Sequence, residues 1–104
     1  MTAEAHVASF NAAVLSGDFT AFAQGFAPDA VMTFVGPPVG PYTGRDAIAA
    51  AYAAQPPDDT MEIVSVRTEG EAEAIAFRWS RGGTGTMRIR RRAGLIAELA
   101  VVFD

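Results

Sequence analysis

Between Phe10 and Ala54 three short segments with helical spacing of apolar residues surround a single strand, and from Met61 onward every apolar run reads as β. Helices that come first and hairpin-linked strands that follow can bury their apolar faces in few ways. The helices must pack on one side of a mostly antiparallel sheet. The order predicts an α+β cone, in which three N-terminal helices close one mouth of a curved sheet and leave an apolar cavity. At 104 residues the chain holds one core, so residues 1–104 are read as a single domain.

The segments have readable ends. From Glu4 to Leu15 the residues Val7, Phe10, Ala13 and Val14 share one helical face. Gly17 can end that helix in the left-handed conformation, and Asp18 can cap the next. Phe19, Phe22 and Phe26 then recur at helical spacing, and Pro28-Asp29 turns the chain into a strand over Ala30 to Val35. The loop from Gly36 to Gly44 carries three prolines and three glycines and excludes a helix, with a short edge segment expected near Tyr42. Thr43 and Asp46 have capping-box spacing, which predicts a helix over Arg45 to Ala54, stopped by Pro56-Pro57. Strands are expected over Met61 to Thr68, Ala72 to Arg81, Thr84 to Arg92 and Leu95 to Phe103, joined by hairpins.

Composition removes several classes of function. The net charge of −4 opposes nucleic-acid binding, which depends on neutralising phosphates. There is no cysteine and one histidine, His6, so neither thiolate chemistry nor a zinc site is expected, and no cofactor is implied. No run approaches the ~20 apolar residues of a membrane span. The first ten residues carry acid where a signal peptide needs a basic flank, so a cytoplasmic location is expected. The run Arg88-Ile89-Arg90-Arg91-Arg92 should place Arg88, Arg90 and Arg92 on one strand face, opposite carboxylates such as Glu62, Glu73 or Glu98.

Leu15-Ser16-Gly17-Asp18, Phe26-Ala27-Pro28-Asp29-Ala30, Gly44-Arg45-Asp46-Ala47-Ile48 and the closing strand Ala97 to Phe103 together resemble the nuclear transport factor 2-like superfamily. Its ketosteroid isomerases and SnoaL-like polyketide cyclases are the branches most similar in layout. The resemblance implies a cone that binds a small molecule, and often a dimer through the outer sheet face. It specifies the fold and leaves activity open, because the same cone hosts isomerases, cyclases, dehydratases, epoxide hydrolases and binding modules. The isomerases' helix 1 tyrosine falls on Phe10, their general-base aspartate on Phe34, and their protonated aspartate near Thr86 or Met87. All three groups are missing, so the established ketosteroid isomerisation is not implied.

Alternation puts Phe77 and Trp79 on one strand face, and Leu99, Val101 and Phe103 on another. With Phe10, Phe34 and Met87 they would line the cone, either as a pocket for a compact hydrophobic molecule or as a sealed aromatic core. Tyr52 matches a pocket tyrosine of the isomerases; its hydroxyl would bond backbone or a ligand carbonyl. Arg81 follows Phe77 and Trp79 by the period of two and would either reach the cone mouth, holding an anionic group, or lie in solvent. If the chain is an enzyme, an isomerase, cyclase or hydratase reaction using Tyr52, Arg81 or an ordered water is implied. The rival reading is a non-catalytic binding or scaffold module. Asp18 and Asp29 are read as cap and turn residues, and His6 as a solvated or core-edge residue.

Overall fold

The computed structural model describes residues 2–104. Helix α1 runs Ala3–Ser16: Thr2 Oγ1 accepts the Ala5 N–H at 3.0 Å, and Gly17, at φ 77, closes the helix by donating to the Ala13 carbonyl. Its buried residues Ala3, His6, Val7, Phe10 and Ala13 form one stripe. The cap of the single-turn helix α2, Thr20–Ala23, is Phe19 and not Asp18, whose carboxylate instead accepts the Thr20 N–H at 2.9 Å from one residue further back. Phe26, which spacing assigned to this helix, instead opens strand β1, Phe26–Val35, where it pairs with Ile96 and is fully buried. Register is irregular between Phe26 and Val31, where Pro28 lacks the N–H that a ladder needs.

Strand β2 is the short edge pair Tyr42–Thr43. Helix α3 spans Arg45–Ala54 as its apolar spacing requires, but the capping box does not form. Gly44 occupies the cap position at φ 95, and its N–H donates to the Ala30 carbonyl at 2.7 Å, because Thr43 is held in the β2 ladder opposite Val31. Strands β3 (Met61–Glu69), β4 (Ala72–Trp79), β5 (Thr84–Arg92) and β6 (Leu95–Phe103) form an antiparallel meander. The sheet order is β2-β1-β6-β5-β4-β3, with β1 and β6 parallel. Three helices on a curved, mostly antiparallel sheet is the architecture expected from element order. β4 ends earlier than its alternation suggests: the Trp79 N–H donates to Gly83 O, and a turn removes Arg81 from the sheet.

Bulges between Ile63 and Ser65 and between Arg90 and Arg91 interrupt the ladders and help the sheet curl over the helices. Asn11 fastens α1 to the start of β3 at both ends of its amide: Nδ2 donates to Met61 O and Oδ1 accepts the Met61 N–H, each at 2.9 Å. The outer sheet face carries ion pairs Arg78–Glu62, Arg88–Glu69 and Arg90–Glu98, while Arg92 pairs with Asp29 of β1. Asp29 therefore tethers two strands, in addition to following the proline turn. Arg91 points the other way and pairs with Glu73, both partly buried.

Gly85 lies opposite Phe77 in the β4–β5 ladder. A Cβ there would come within 2.5 Å of the Phe77 ring and 2.7 Å of the Val102 carbonyl oxygen, so the aromatic ring lies where a side chain would stand. Gly85→Ala should destabilise the fold by roughly 1–3 kcal/mol, the usual cost of overpacking. Denaturant unfolding of the variant checks this, and an unchanged midpoint would contradict it.

Candidate functional site

The inner sheet face and the helices leave a cavity of about 250 Å³. α1 contributes His6 and Phe10, α2 contributes Phe22, and β1 contributes Phe34. Tyr52 comes from α3, Met61 from β3, Phe77 and Trp79 from β4, Met87 from β5, and Leu99, Val101 and Phe103 from β6. Strand alternation aims the β residues inward, and the i to i+4 spacing puts His6 directly before Phe10 on the inner face of α1. His6, Phe10, Phe22, Tyr52, Phe77 and Met87 are buried, whereas Phe34, Trp79, Pro57 and Phe103 are more exposed and form the rim. Trp79 and Phe103 lie nearly parallel there, with centroids 6.4 Å apart. Phe77 meets Trp79 edge-on at 5.2 Å, and Phe10 meets Phe22 the same way at 5.8 Å, favourable geometries for aromatic quadrupoles.

Phe34, Tyr52 and Pro57 also border a smaller chamber of about 120 Å³, reached beneath the proline loop and walled by Met32, Val39 and Tyr42. The Tyr52 hydroxyl turns that way and donates to Met32 Sδ at 3.4 Å. Burial pushes the phenol above its ordinary range, so it stays protonated. The Tyr52 ring stacks on Phe19 at 4.9 Å, which fixes α3 against the chain between the first two helices. A larger groove of about 500 Å³ lies between α2 and α3, but Asp18, Thr20, Gln24, Asp46 and Pro56 on its walls are exposed. Its polar, open lining gives a ligand little surface to bury, so the smaller inner cavity is the better binding candidate.

Nine of the residues picked out from sequence meet at the inner cavity: Phe10, Phe34, Tyr52, Phe77, Trp79, Met87, Leu99, Val101 and Phe103. Arg81 does not. It lies in the turn beyond β4, where its guanidinium pairs with the Asp58 carboxylate at 3.1 Å and its own N–H donates to Asp59. The reading of His6 also needs correction. It is 3 % exposed and lines the cavity, neither solvated nor at the core edge. Its place on the Phe10 face was visible in the spacing, but a histidine's polarity argued against burial. Burial, reinforced by the charge of Arg91, lowers its pKa to about 4, so the imidazole is neutral at pH 7.

No aspartate or glutamate lines the cavity, and no group of three metal-ligating side chains occurs among the described residues. Phe34 and Phe10, which the resemblance matched to an isomerase's base and oxyanion donor, stand in the wall as phenylalanines. The lining can exclude water, hold an apolar molecule by contact, and offer it one neutral imidazole.

A profile of the SnoaL-like domain matches residues 7–99. A SnoaL-like protein of unknown function from Burkholderia thailandensis superposes with a TM-score of 0.77 at 15% identity, over 97% of this chain and 92% of the other. A provisionally named polyketide cyclase from Sinorhizobium meliloti gives 0.73 at 22% identity, over 92% of each chain. A protein of ketosteroid isomerase-like fold from Catenulispora acidiphila, in complex with trimethylamine, gives 0.74 at 19% identity, over 100% of this chain and 88% of the other. These likenesses show the fold. No curated protein matches the chain in sequence.

Because the folded state holds His6 neutral down to a pKa of about 4 while an unfolded chain protonates it near 6.5, the unfolded state binds the extra proton first as pH falls. The His6 contribution is absent above pH 6.5. Stability should then fall by up to about 1.4 kcal/mol per pH unit between 6.5 and about 4, relative to a His6→Leu variant. Parallel stability curves for the two proteins over that window would contradict the assignment.

Proposed function

The chain belongs to the SnoaL-like domain family, and from that membership we propose that its cone binds a compact, mainly hydrophobic small molecule. The observation that carries this reading is the 250 Å³ cavity, walled by aromatic and aliphatic side chains and rimmed by Trp79, Phe34 and Phe103. A sealed aromatic core would leave no such volume, because protein interiors pack as densely as organic crystals. The complex of the Catenulispora neighbour with trimethylamine lends support, since it is a protein of this fold with a small molecule bound. Any catalysis would be of the isomerase, cyclase or hydratase kind, and would proceed without a carboxylate at the base position.

The proposal includes a homodimer formed through the outer face of the sheet, in the cytoplasm. No helix among the described residues is long and apolar enough to cross a membrane. On the outer face Val31, Thr33, Ala72 and Ala100 border a shallow region between Arg88, Arg90 and Glu98, and Val102 is 39 % exposed nearby. Exposed ion pairs each contribute only ~0–1 kcal/mol, so the apolar residues should carry the association. Light scattering at micromolar concentration in moderate salt should give twice the chain mass, and a monomer would contradict the dimer.

Phe34 tests the binding reading, since it borders both chambers and is only partly buried. Phe34→Ala should join the chambers and shift binding toward larger members of an alkylbenzene series in a thermal-shift titration. It should cost less than the ~3–5 kcal/mol typical of a core phenylalanine. A full core penalty, with no alkylbenzene bound by the parent protein, would remove the binding reading.

A further inference from the structure

His6 and the Tyr52 hydroxyl are the buried polar groups of the cavity lining. His6 lines the cavity wall, its ring 5.3 Å from that of Phe22. No side-chain hydrogen bond to its imidazole is found among the described residues. An occupant able to bond the imidazole would gain twice, by apolar contact and by a hydrogen bond that the protein's own side chains do not make. Tyr52, the other polar group of the lining, is already turned to Met32.

The surroundings limit the charge and size of that occupant. A cation would find no carboxylate, since none lines the cavity. Arg91 is not part of the lining: its Nη1 is held by Glu73, and its Nε and Nη2 lie buried without a partner behind the wall, so no guanidinium borders the cavity to meet an anion. An anion would lose hydration without compensation, and a cation would have only aromatic ring faces to replace its water, so the wall favours a neutral molecule. An apolar cavity of roughly 150 Å³ accommodates benzene, so about 250 Å³ suits one or two small rings and is too tight for a four-ring skeleton. A neutral imidazole presents one donor and one acceptor nitrogen. A hydroxyl can answer either one, whereas a carbonyl answers only the donor.

We propose that the cavity selects a neutral one- or two-ring molecule bearing a hydroxyl group, and that the His6 imidazole hydrogen-bonds that hydroxyl. The inference rests on the binding reading above and sharpens it by naming the ligand class and its polar anchor. His6 acts here as an anchor, and the apolar wall does the rest of the selection.

The test compares naphthalen-2-ol, naphthalene and naphthalene-2-carboxylate by fluorescence titration at pH 7, with ¹⁵N spectra of the imidazole. Because His6 is the only histidine, its signals need no assignment. Naphthalen-2-ol should bind at least about fivefold tighter than naphthalene, the worth of one net hydrogen bond. The carboxylate should bind weaker than either. The His6 ¹⁵N signals should move with naphthalen-2-ol and stay in place with naphthalene. In His6→Phe the advantage of the hydroxyl should vanish while naphthalene still binds. Should that variant fail to fold, the spectra of the parent protein decide alone. Comparable binding of naphthalen-2-ol and naphthalene with unmoved imidazole signals would overturn the anchor and leave the binding reading intact. No binding of any of the three would overturn both.

Discussion

The parallel pairing of β1 with β6 is the constraint on which the rest of this molecule depends. The meander from β3 to β6 is a continuous antiparallel run, but its inner face has nothing to cover it until the N-terminal half is attached. β1 supplies the attachment along Val31 to Val35, opposite Glu98 to Val102, and carries β2 and α3 with it. That pairing puts Met32 and Phe34 beside Leu99 and Val101, so the last strand and the first share the cavity wall. The Asn11 amide, bonded twice to Met61, then fixes the far end of α1 over the opposite edge of the sheet. One ladder and one side chain thus span the cone between its two edges.

The cavity is unusual for what its chemistry lacks. At Phe34 and Phe10, the positions that the resemblance matched to a base and an oxyanion donor, the wall gains apolar surface instead. Phe34 borders both chambers together with Tyr52 and Pro57, and Phe10 is packed edge-on by Phe19 and Phe22. What polarity remains is concentrated in His6, which burial keeps uncharged. A neutral imidazole in an apolar wall recognises hydrogen-bonding groups without drawing in ions. Apart from Arg91 and Glu73, the sheet's ion pairs lie on the opposite face, where Arg78–Glu62 and Arg90–Glu98 join neighbouring strands and Arg88–Glu69 reaches across β4.

Much of this was legible in the chain because local rules act on local residues. Gly17, Pro56 and the Gly/Pro loop bound the helices through backbone preferences that hold in any context. Strands β5 and β6 begin and end where alternation places them, and the same alternation sends Phe77, Trp79, Leu99 and Val101 inward. It also separates Arg88, Arg90 and Arg92 from Met87 and Ile89. Where local rules failed, a distant partner had intervened. Phe26 left its helical phase to pair with Ile96, Thr43 gave up its cap to the ladder with Val31, and Arg81 was drawn out of the sheet by Asp58 and Asp59.

The sequence by itself determined the element order and the inward faces of the strands, because side-chain identity and periodicity are properties of the chain alone. Only the tertiary structure decided that His6 is buried and that Phe34, Tyr52 and Pro57 stand between two chambers. It also decided that β1 runs parallel to β6. Those facts depend on which residues, remote along the chain, come together around the cavity, and burial of a polar ring is decided by its neighbours in space.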